Sequence, residues 1–355
     1  MIRALLDQGH SVLAAAPGMD EATADWLRAH GAQPLTLQLS NASLNPMSML
    51  TSFRQLRRLL AEHRPDVLIS YTIKPVIVGA HAGHAAGVQN VVSLITGVGF
   101  ALTEAPGNAR RRLVRWAASL LYRSALRRSH FVLFQNRDDQ ALFRELRLLG
   151  PDQPSTVVDG SGVDIDFFSP APLPHQPSFL MISRLLWDKG IREFAQAARR
   201  LRREHPQVPV ALVGYLDPSP DSLTQRELDE LIACGIHFYG KLDDVRPAIA
   251  EASIYVLPSY REGTPRSVLE AMAMARPVIT TDAPGCRETV VEGLNGLLVP
   301  PRDADALYAA MVRFIEHPEM IGPMGAESRK LAERKYDARK VSADVLRAIG
   351  LGGGD

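Results

Sequence analysis

Short apolar runs recur along this chain with helix-length amphipathic stretches between them, and that alternation restricts the fold more than any other feature. In the first half the runs are HSVLAAAP, QPLTLQL, PDVLISY, NVVSLIT and HFVLFQN, with helix-like stretches such as 49–63 between most of them. The rhythm restarts after residue 175 with SFLMISR, a helix at 190–204, then VPVALVG, IHFYG, SIYVLP, PVITT and GLLVP. Buried strands alternating with helices build parallel, doubly wound sheets. A chain of 355 residues is also too long for one ordinary core. The expectation is an α/β protein of two Rossmann-like domains, at 1–174 and 175–334, with a terminal helix in 335–355 packing back toward the first. APLPHQP at 171–177, proline-rich and without periodicity, reads as the linker.

Charge and cysteine content remove several function classes. The formal net charge is +1, without the basic excess that phosphate-backbone binding demands, so nucleic acid is not an expected partner. Cys234 and Cys286 stand far apart with no CxxC or Cys/His spacing; this fits a reducing cytoplasm and implies neither a metal nor a cofactor. The apolar runs fall well short of the roughly 18 residues that a membrane span needs, and no signal-peptide pattern opens the chain. A cytoplasmic protein, peripheral on the inner face of the cytoplasmic membrane, is expected.

Ligands of doubly wound sheets bind beyond the carboxyl ends of the strands, and two facing domains would leave a cleft there. After the strand SIYVLP come SYREGTPRS and the helix VLEAMAMA. Gly263, Thr264 and Pro265 shape a tight turn, and Thr264 or Ser267 is expected to cap the helix. Its free N–H groups and positive dipole end, from Gly263 through Arg266 to Ser267, form an anion site suited to a diphosphate. Glu262 and Glu270, eight residues apart across the turn, would bracket a nucleotide sugar. Two glutamates at that spacing also arise as ordinary surface dipole partners. What raises the motif is SRLLWDKG at 183–190, again directly after a strand, whose Arg184 and Lys189 supply a forked and a point cation for pyrophosphate.

From SRLLWDKG through YGKLDDV, SYREGTPRSVLEAMA and GLLVPPRDADAL the chain resembles the nucleotide-sugar domain of the retaining GT-B glycosyltransferases of family 4. The resemblance implies a catalytic set of Glu262, Arg184 and Lys189, with Glu262 at the donor sugar and Glu270 on the ribose. It also implies backbone contacts to the diphosphate at Gly263–Ser267 and the base near Leu242. In the first half YTIKP, LITGVGFA, FQNRDD and GSGVDIDFF resemble the branch that extends undecaprenyl-diphosphate sugars. That branch implies a UDP-sugar donor carrying a hexosamine and a polyprenyl-diphosphate-linked sugar acceptor. Many relatives place His-Gly after this strand where this chain has Thr96-Gly97, so a role for that His does not carry over; Lys74 is a candidate acceptor or phosphate contact. Nothing in the residues separates N-acetylgalactosamine from glucose, galactose or a fucosamine. A sugar-nucleotide 2-epimerase of the same architecture and a non-catalytic nucleotide-sugar-binding protein stay open.

Two further expectations concern the first domain. MIRALLDQGH reads as the back half of an amphipathic helix closed by Gly9. A doubly wound domain usually opens with a central strand and a glycine loop before that helix. The expectation is that both are missing, with low stability and lost activity as the result. Residues 110–128, RRRLVRWAASLLYRSALRR, carry seven arginines and no acid around Leu113, Trp116, Leu120, Leu121 and Tyr122. They read as a basic amphipathic helix that lies on an anionic membrane surface, the alternative being a helix packed on the core with a solvated basic face.

Overall fold

The structure, a computed structural model, describes residues 1–37, 46–98, 109–219 and 221–352, with only the backbone for 46 and 109–115. By its internal contacts the chain divides into unit 1, Met1–Val158 with Ser342–Asp355, and unit 2, Asp159–Val341.

Unit 1 runs α1 (Ile2–Asp7), β1 (Leu13–Ala16), α2 (Glu21–Ala29), β2 (Gln33–Thr36), α3 (Pro46–His63), β3 (Val67–Tyr71) and α4 (Ile73–Ala86). It continues with β4 (Asn90–Ile95), α5 (Ala109–Leu126), β5 (Phe131–Phe134), α6 (Arg137–Glu145) and β6 (Ser155–Val157). Its strands form two parallel sheets, β1–β2 and β3–β4–β5–β6, which share no ladder among the described residues. Between Asn90 and Ile95 the strand β4 is apolar apart from Ser93, which shares a hydrogen bond with Ser129, and this follows from burial on both faces. Val91 and Ile95 join Val76, Ile77, Tyr122, Phe134 and Phe143 in one core cluster, whereas Val92 and Leu94 join Leu133 and Val158 in another. The second cluster is completed by Val345, Leu346 and Ile349, from and just beyond the helix Ala338–Ala348. Asn90 anchors that end, donating to the Ile349 carbonyl at 3.2 Å.

Unit 2 runs β7 (Phe179–Ile182), α7 (Ile191–Glu204), β8 (Val210–Val213), α8 (Gln225–Ala233), β9 (His237–Gly240), α9 (Arg246–Ala250) and β10 (Ile254–Leu257). Then come α10 (Arg266–Ala273), β11 (Val278–Thr281), β12 (Gly296–Val299), α11 (Ala304–Glu316) and α12 (Ile321–Leu331), and α13 (Ala338–Ala348) crosses into unit 1. The sheet is wholly parallel with order β12–β11–β10–β7–β8–β9.

The contact division falls at 158/159, ahead of the proline-rich stretch that suggested 174/175. The Val163 N–H donates to the Tyr336 carbonyl at 2.8 Å, and the Ala338 N–H donates back to Val163 at 2.9 Å. Arg276, 1% exposed, holds the next part of the stretch. Its five guanidinium bonds go to the carbonyls of Ala171, Pro172, Ile249, Ala250 and Met274 at 2.7–3.1 Å. Burial lowers its pKa to about 10, and full use of the rigid fork is what makes a buried guanidinium tolerable. Segment 159–172 is therefore stapled to unit 2, although its composition resembles a free linker.

Candidate functional site

In unit 2 the connection from β7 leads to β8 on one side and that from β10 leads to β11 on the other, while β7 and β10 are neighbours. The two crossovers thus diverge, and the crevice beyond the carboxyl ends of β7 and β10 is the switch point where doubly wound sheets take ligands. SRLLWDKG and SYREGTPRS are the two loops that leave these strands.

Close backbone packing brings the loops together. Trp187–Lys189 makes one 3₁₀ turn ended by Gly190 at φ +74°. A Cβ on Gly190 would lie 2.0 Å from the Pro258 carbonyl oxygen, so only glycine permits this approach. The Asp188 carbonyl accepts from Tyr260 N–H at 2.9 Å and Ser259 Oγ at 3.2 Å. Lys189 Nζ then reaches Glu262 Oε1 at 2.7 Å, with the two side chains 13% and 16% exposed. From the other side the loop after β11 clamps the acid. Glu262 N–H donates to the Pro284 carbonyl at 2.9 Å, and Gly285, at φ +81°, sits where a Cβ would lie 2.1 Å from the Glu262 carbonyl oxygen. Burial opposes the Lys189 charge, but Glu262 and Asp188 outweigh it and raise the pKa, so the ammonium is fixed as a cation. Burial raises the Asp188 carboxyl, with Lys189 opposing and Glu262 reinforcing.

Helix α10 starts differently from the sequence expectation. Its N-cap is Pro265, with φ −72° and ψ 108°, and no side chain caps it. The Pro265 carbonyl accepts from Val268 and Leu269 N–H at 3.1 and 3.3 Å, which leaves the Arg266 and Ser267 N–H groups without an intrahelical acceptor. Thr264 and Ser267 are employed elsewhere. Thr264 packs on Gly160, where a Cβ would come within 2.7 Å of it, and Ser267 turns to the Tyr255 phenol. Glu270, 13% exposed, accepts from the exposed Arg266 at 3.1 Å. Burial raises its pKa against the pull of Arg266.

Arg184 and Lys189 do not act as a joint cation pair in this arrangement. Half-exposed Arg184 turns to Asp217 beyond β8, at 3.2 Å, while Ser183 Oγ beside it is buried with no partner among the described residues. Leu242 lies two residues past β9 on the same sheet edge, half-buried. Sequence reasoning missed Asp188, Asp217 and the pair Tyr260–Glu193, in which the phenol donates to both carboxylate oxygens at 2.8 and 2.9 Å. Asp188 lies inside SRLLWDKG and could have been found there; Asp217 and Glu193 carry no spacing signal. As a chemical arrangement, the crevice offers free amides, one fixed ammonium and one half-exposed guanidinium for an anion, with two carboxylates able to accept from hydroxyls.

In unit 1 the strand ends of β3 and β4 are adjacent, and they carry Lys74, Thr96 and Gly97. Lys74 is not an exposed loop lysine: it is 7% exposed in the first turn of α4, its ammonium donates to Ser48 Oγ at 3.1 Å, and burial lowers its pKa. Thr72 just before it holds φ +68°, a left-handed conformation unusual for threonine. Thr96 and Gly97, the latter at φ +144°, follow β4; 99–108 lie outside the described residues. The basic stretch is helical as α5, with the side chains of 110–115 likewise outside what is described. Tyr122 is fully buried and Leu121 packs on the core, contrary to a lipid-facing role, because α5 packs on α4 and Tyr122 meets the Phe143 ring of α6 edge-on at 5.4 Å. Trp116 and Leu120 are exposed. Among the described residues no group of three His, Cys, Asp or Glu could hold a metal ion, and no helix is long and apolar enough to cross a membrane.

Two α/β units built on parallel sheets, the second with its motif loops at a switch point, are the architecture of the GT-B glycosyltransferases. The same fold occurs in HepE of Anabaena, crystallised with UDP (TM-score 0.76, 20% identity, 98% of this chain and 94% of that one), and in sucrose-phosphate synthase of Thermosynechococcus elongatus (TM-score 0.82, 21% identity, 97% and 90%). Residues 1–160 match the glycosyl transferase 4-like domain and residues 176–317 match the glycosyl transferases group 1, and the chain belongs to this glycosyltransferase family. Among its relatives are the N,N'-diacetylbacillosaminyl-diphospho-undecaprenol alpha-1,3-N-acetylgalactosaminyltransferase of Campylobacter jejuni, 28% identical over 90% of this chain and 86% of that protein, and the UDP-Gal:alpha-D-GlcNAc-diphosphoundecaprenol alpha-1,3-galactosyltransferase of Escherichia coli, 24% identical over 74% and 70%.

Proposed function

We propose that the chain is a retaining glycosyltransferase that moves an N-acetylhexosamine from a UDP-sugar to a polyprenyl-diphosphate-linked sugar in bacterial surface-glycan synthesis. The observation that carries this reading is the Lys189–Glu262 contact at the switch point, beside the open amides of α10. Breaking a sugar–phosphate bond builds positive charge at the anomeric carbon and negative charge on the departing diphosphate. Lys189, the α10 N-terminus and Arg184, once it leaves Asp217, would meet the diphosphate; Glu262 would orient the sugar and Glu270 accept from the ribose diol. Glu270 on the ribose is unavailable as one of two carboxylates flanking the reacting bond, which argues against double displacement. Same-face attack by the acceptor hydroxyl fits the family better. Lys74, Thr96 and Gly97 are assigned to the acceptor side, and the exposed face of α5 to an anionic membrane surface. Support for the donor and acceptor classes comes from the names of the two relatives and from UDP in HepE.

The test is mass spectrometry of undecaprenyl-diphosphate-linked sugar acceptors incubated with UDP- and GDP-sugars. Growth of the acceptor by one N-acetylhexosamine, from UDP-sugar only, is expected. Epimer formation without acceptor would replace transfer with the epimerase reading, and UDP binding without any turnover would leave a nucleotide-sugar-binding protein.

A further inference from the structure

Away from the strand ends of unit 1, the C-terminal turns of α5 and α6 border an open cavity of about 440 Å³ lined by Arg123, Arg127, Arg144 and Arg147 together with Gly150 and Pro151. Arg123 serves the fold, since its guanidinium donates to the carbonyls of Arg147 and Leu146 at 2.8 and 3.2 Å and closes the end of α6. The other three are less committed. Arg144 makes one long bond, 3.4 Å, to Ser155 Oγ, and Arg127 and Arg147 have no side-chain partner among the described residues. Glu145 and Asp152, the acids closest in sequence, form no ion pair with any of the four. Arg147 is moreover held at φ +54°, a left-handed conformation that is strained for an arginine. Four like charges around one cavity repel one another, and an anion would relieve that repulsion. Guanidinium forks match phosphate oxygens in geometry.

The helix itself indicates where the phosphate comes from. Trp116, Leu120, Arg123 and Arg127 follow one another at i, i+4, i+7 and i+11, so they share one face of α5. Trp116 and Leu120 are 60% and 41% exposed, about 10 Å along the helix from the arginines at 1.5 Å per residue. An exposed Trp and Leu leading into an arginine pocket is the order of chemistries met on passing from acyl chain to headgroup.

We propose that this pocket seats the headgroup phosphate of an anionic phospholipid, with Trp116 and Leu120 entering the acyl boundary. The proposal rests on the membrane-surface reading of α5 but not on the donor chemistry of unit 2. Its test is flotation with vesicles of phosphatidylcholine, with and without phosphatidylglycerol. The proteins compared are the wild type, Arg127→Gln/Arg147→Gln, and a control, Arg226→Gln/Arg347→Gln, that removes equal charge from exposed helical positions elsewhere. At about 1 kcal/mol per arginine near an anionic surface, the pocket variant is expected to partition about 30-fold less, and the control to follow the wild type. Equal loss in both variants would reduce the effect to net charge and overturn the pocket. Failure of the wild type to float would instead remove the membrane surface. Titration with inorganic pyrophosphate separates the source: binding that Arg127→Gln/Arg147→Gln abolishes, in a protein that does not float, overturns the lipid assignment in favour of a soluble phosphate. UDP binding by the pocket variant, read in parallel, reports that its fold is intact.

Discussion

Replacing Lys189 by Met removes a cation 2.7 Å from Glu262 and leaves that acid beside the Asp188 carboxyl. At an effective dielectric of 20 the lost attraction is about 6 kcal/mol. Part of it is offset because the Lys189 ammonium no longer has to be desolvated, although Glu262 stays buried without its counter-ion. Breaking a fully buried pair costs about 3–5 kcal/mol; here 13% and 16% exposure admits some water, so about 2–3 kcal/mol is expected at pH 7. The double variant Lys189→Met/Glu262→Gln removes both charges and should lose less than the two single losses added together. Urea unfolding at constant m-value measures all three. The Lys189 pKa is raised from 10.5, so its contribution is complete below 10.5 and disappears as pH climbs through the higher folded value. The difference between wild type and Lys189→Met should therefore be flat through neutral pH and shrink only in strong alkali. A single-variant loss under about 0.5 kcal/mol, or strict additivity in the double, would refute the reasoning. UDP affinity should fall in both proteins lacking Lys189, whatever their stability.

Gly285→Ala drives a Cβ against the Glu262 carbonyl in a left-handed conformation, and should cost about 2 kcal/mol or more in unfolding free energy and weaken UDP binding in calorimetry. Glu270→Gln should stabilise the fold at neutral pH by about 1 kcal/mol while weakening UDP about tenfold. The sign follows from its raised pKa, since folding favours the protonated carboxyl and that contribution is lost as pH rises through the folded value. A melting temperature that falls in this variant would contradict it. Arg276→Lys keeps the charge but cannot serve five carbonyls. A loss of about 2–4 kcal/mol is expected, with earlier proteolysis at 171–177, and an unchanged digestion pattern would count against the staple.

Strands were legible as short, mostly apolar runs, which burial on both faces produces in β4, β10 and β11, and each of the eleven runs contains one. Only β6 was passed over, its three residues STV being too short to show a period. The site was legible where its residues sit in one loop. Lys189 and Glu262 were both marked, but their contact depends on glycines at 190 and 285 that let backbones approach, and no local pattern announces which distant carbonyl a glycine will meet. Asp217, the partner of Arg184 across β7 and β8, went unmarked because it has no fixed spacing from it. The cap of α10 was misassigned for a local reason: Thr264 and Ser267 have the right chemistry, but Pro265 occupies the cap position. Composition misled at 171–177, where prolines look like a free linker and one buried arginine fixes the carbonyls.

Unit 2 is continuous in sequence, whereas unit 1 is completed by residues 342–352. A ribosome therefore makes unit 1 first and cannot let it finish. Until α13 emerges, Val92, Leu94, Leu133 and Val158 have no Val345, Leu346 or Ile349 to cover them. A greasy strip on an otherwise assembled sheet stays open to water while all of unit 2 is synthesised, and such strips are what holdase chaperones bind and what aggregates grow from. The half of the protein that is born first is the last to mature.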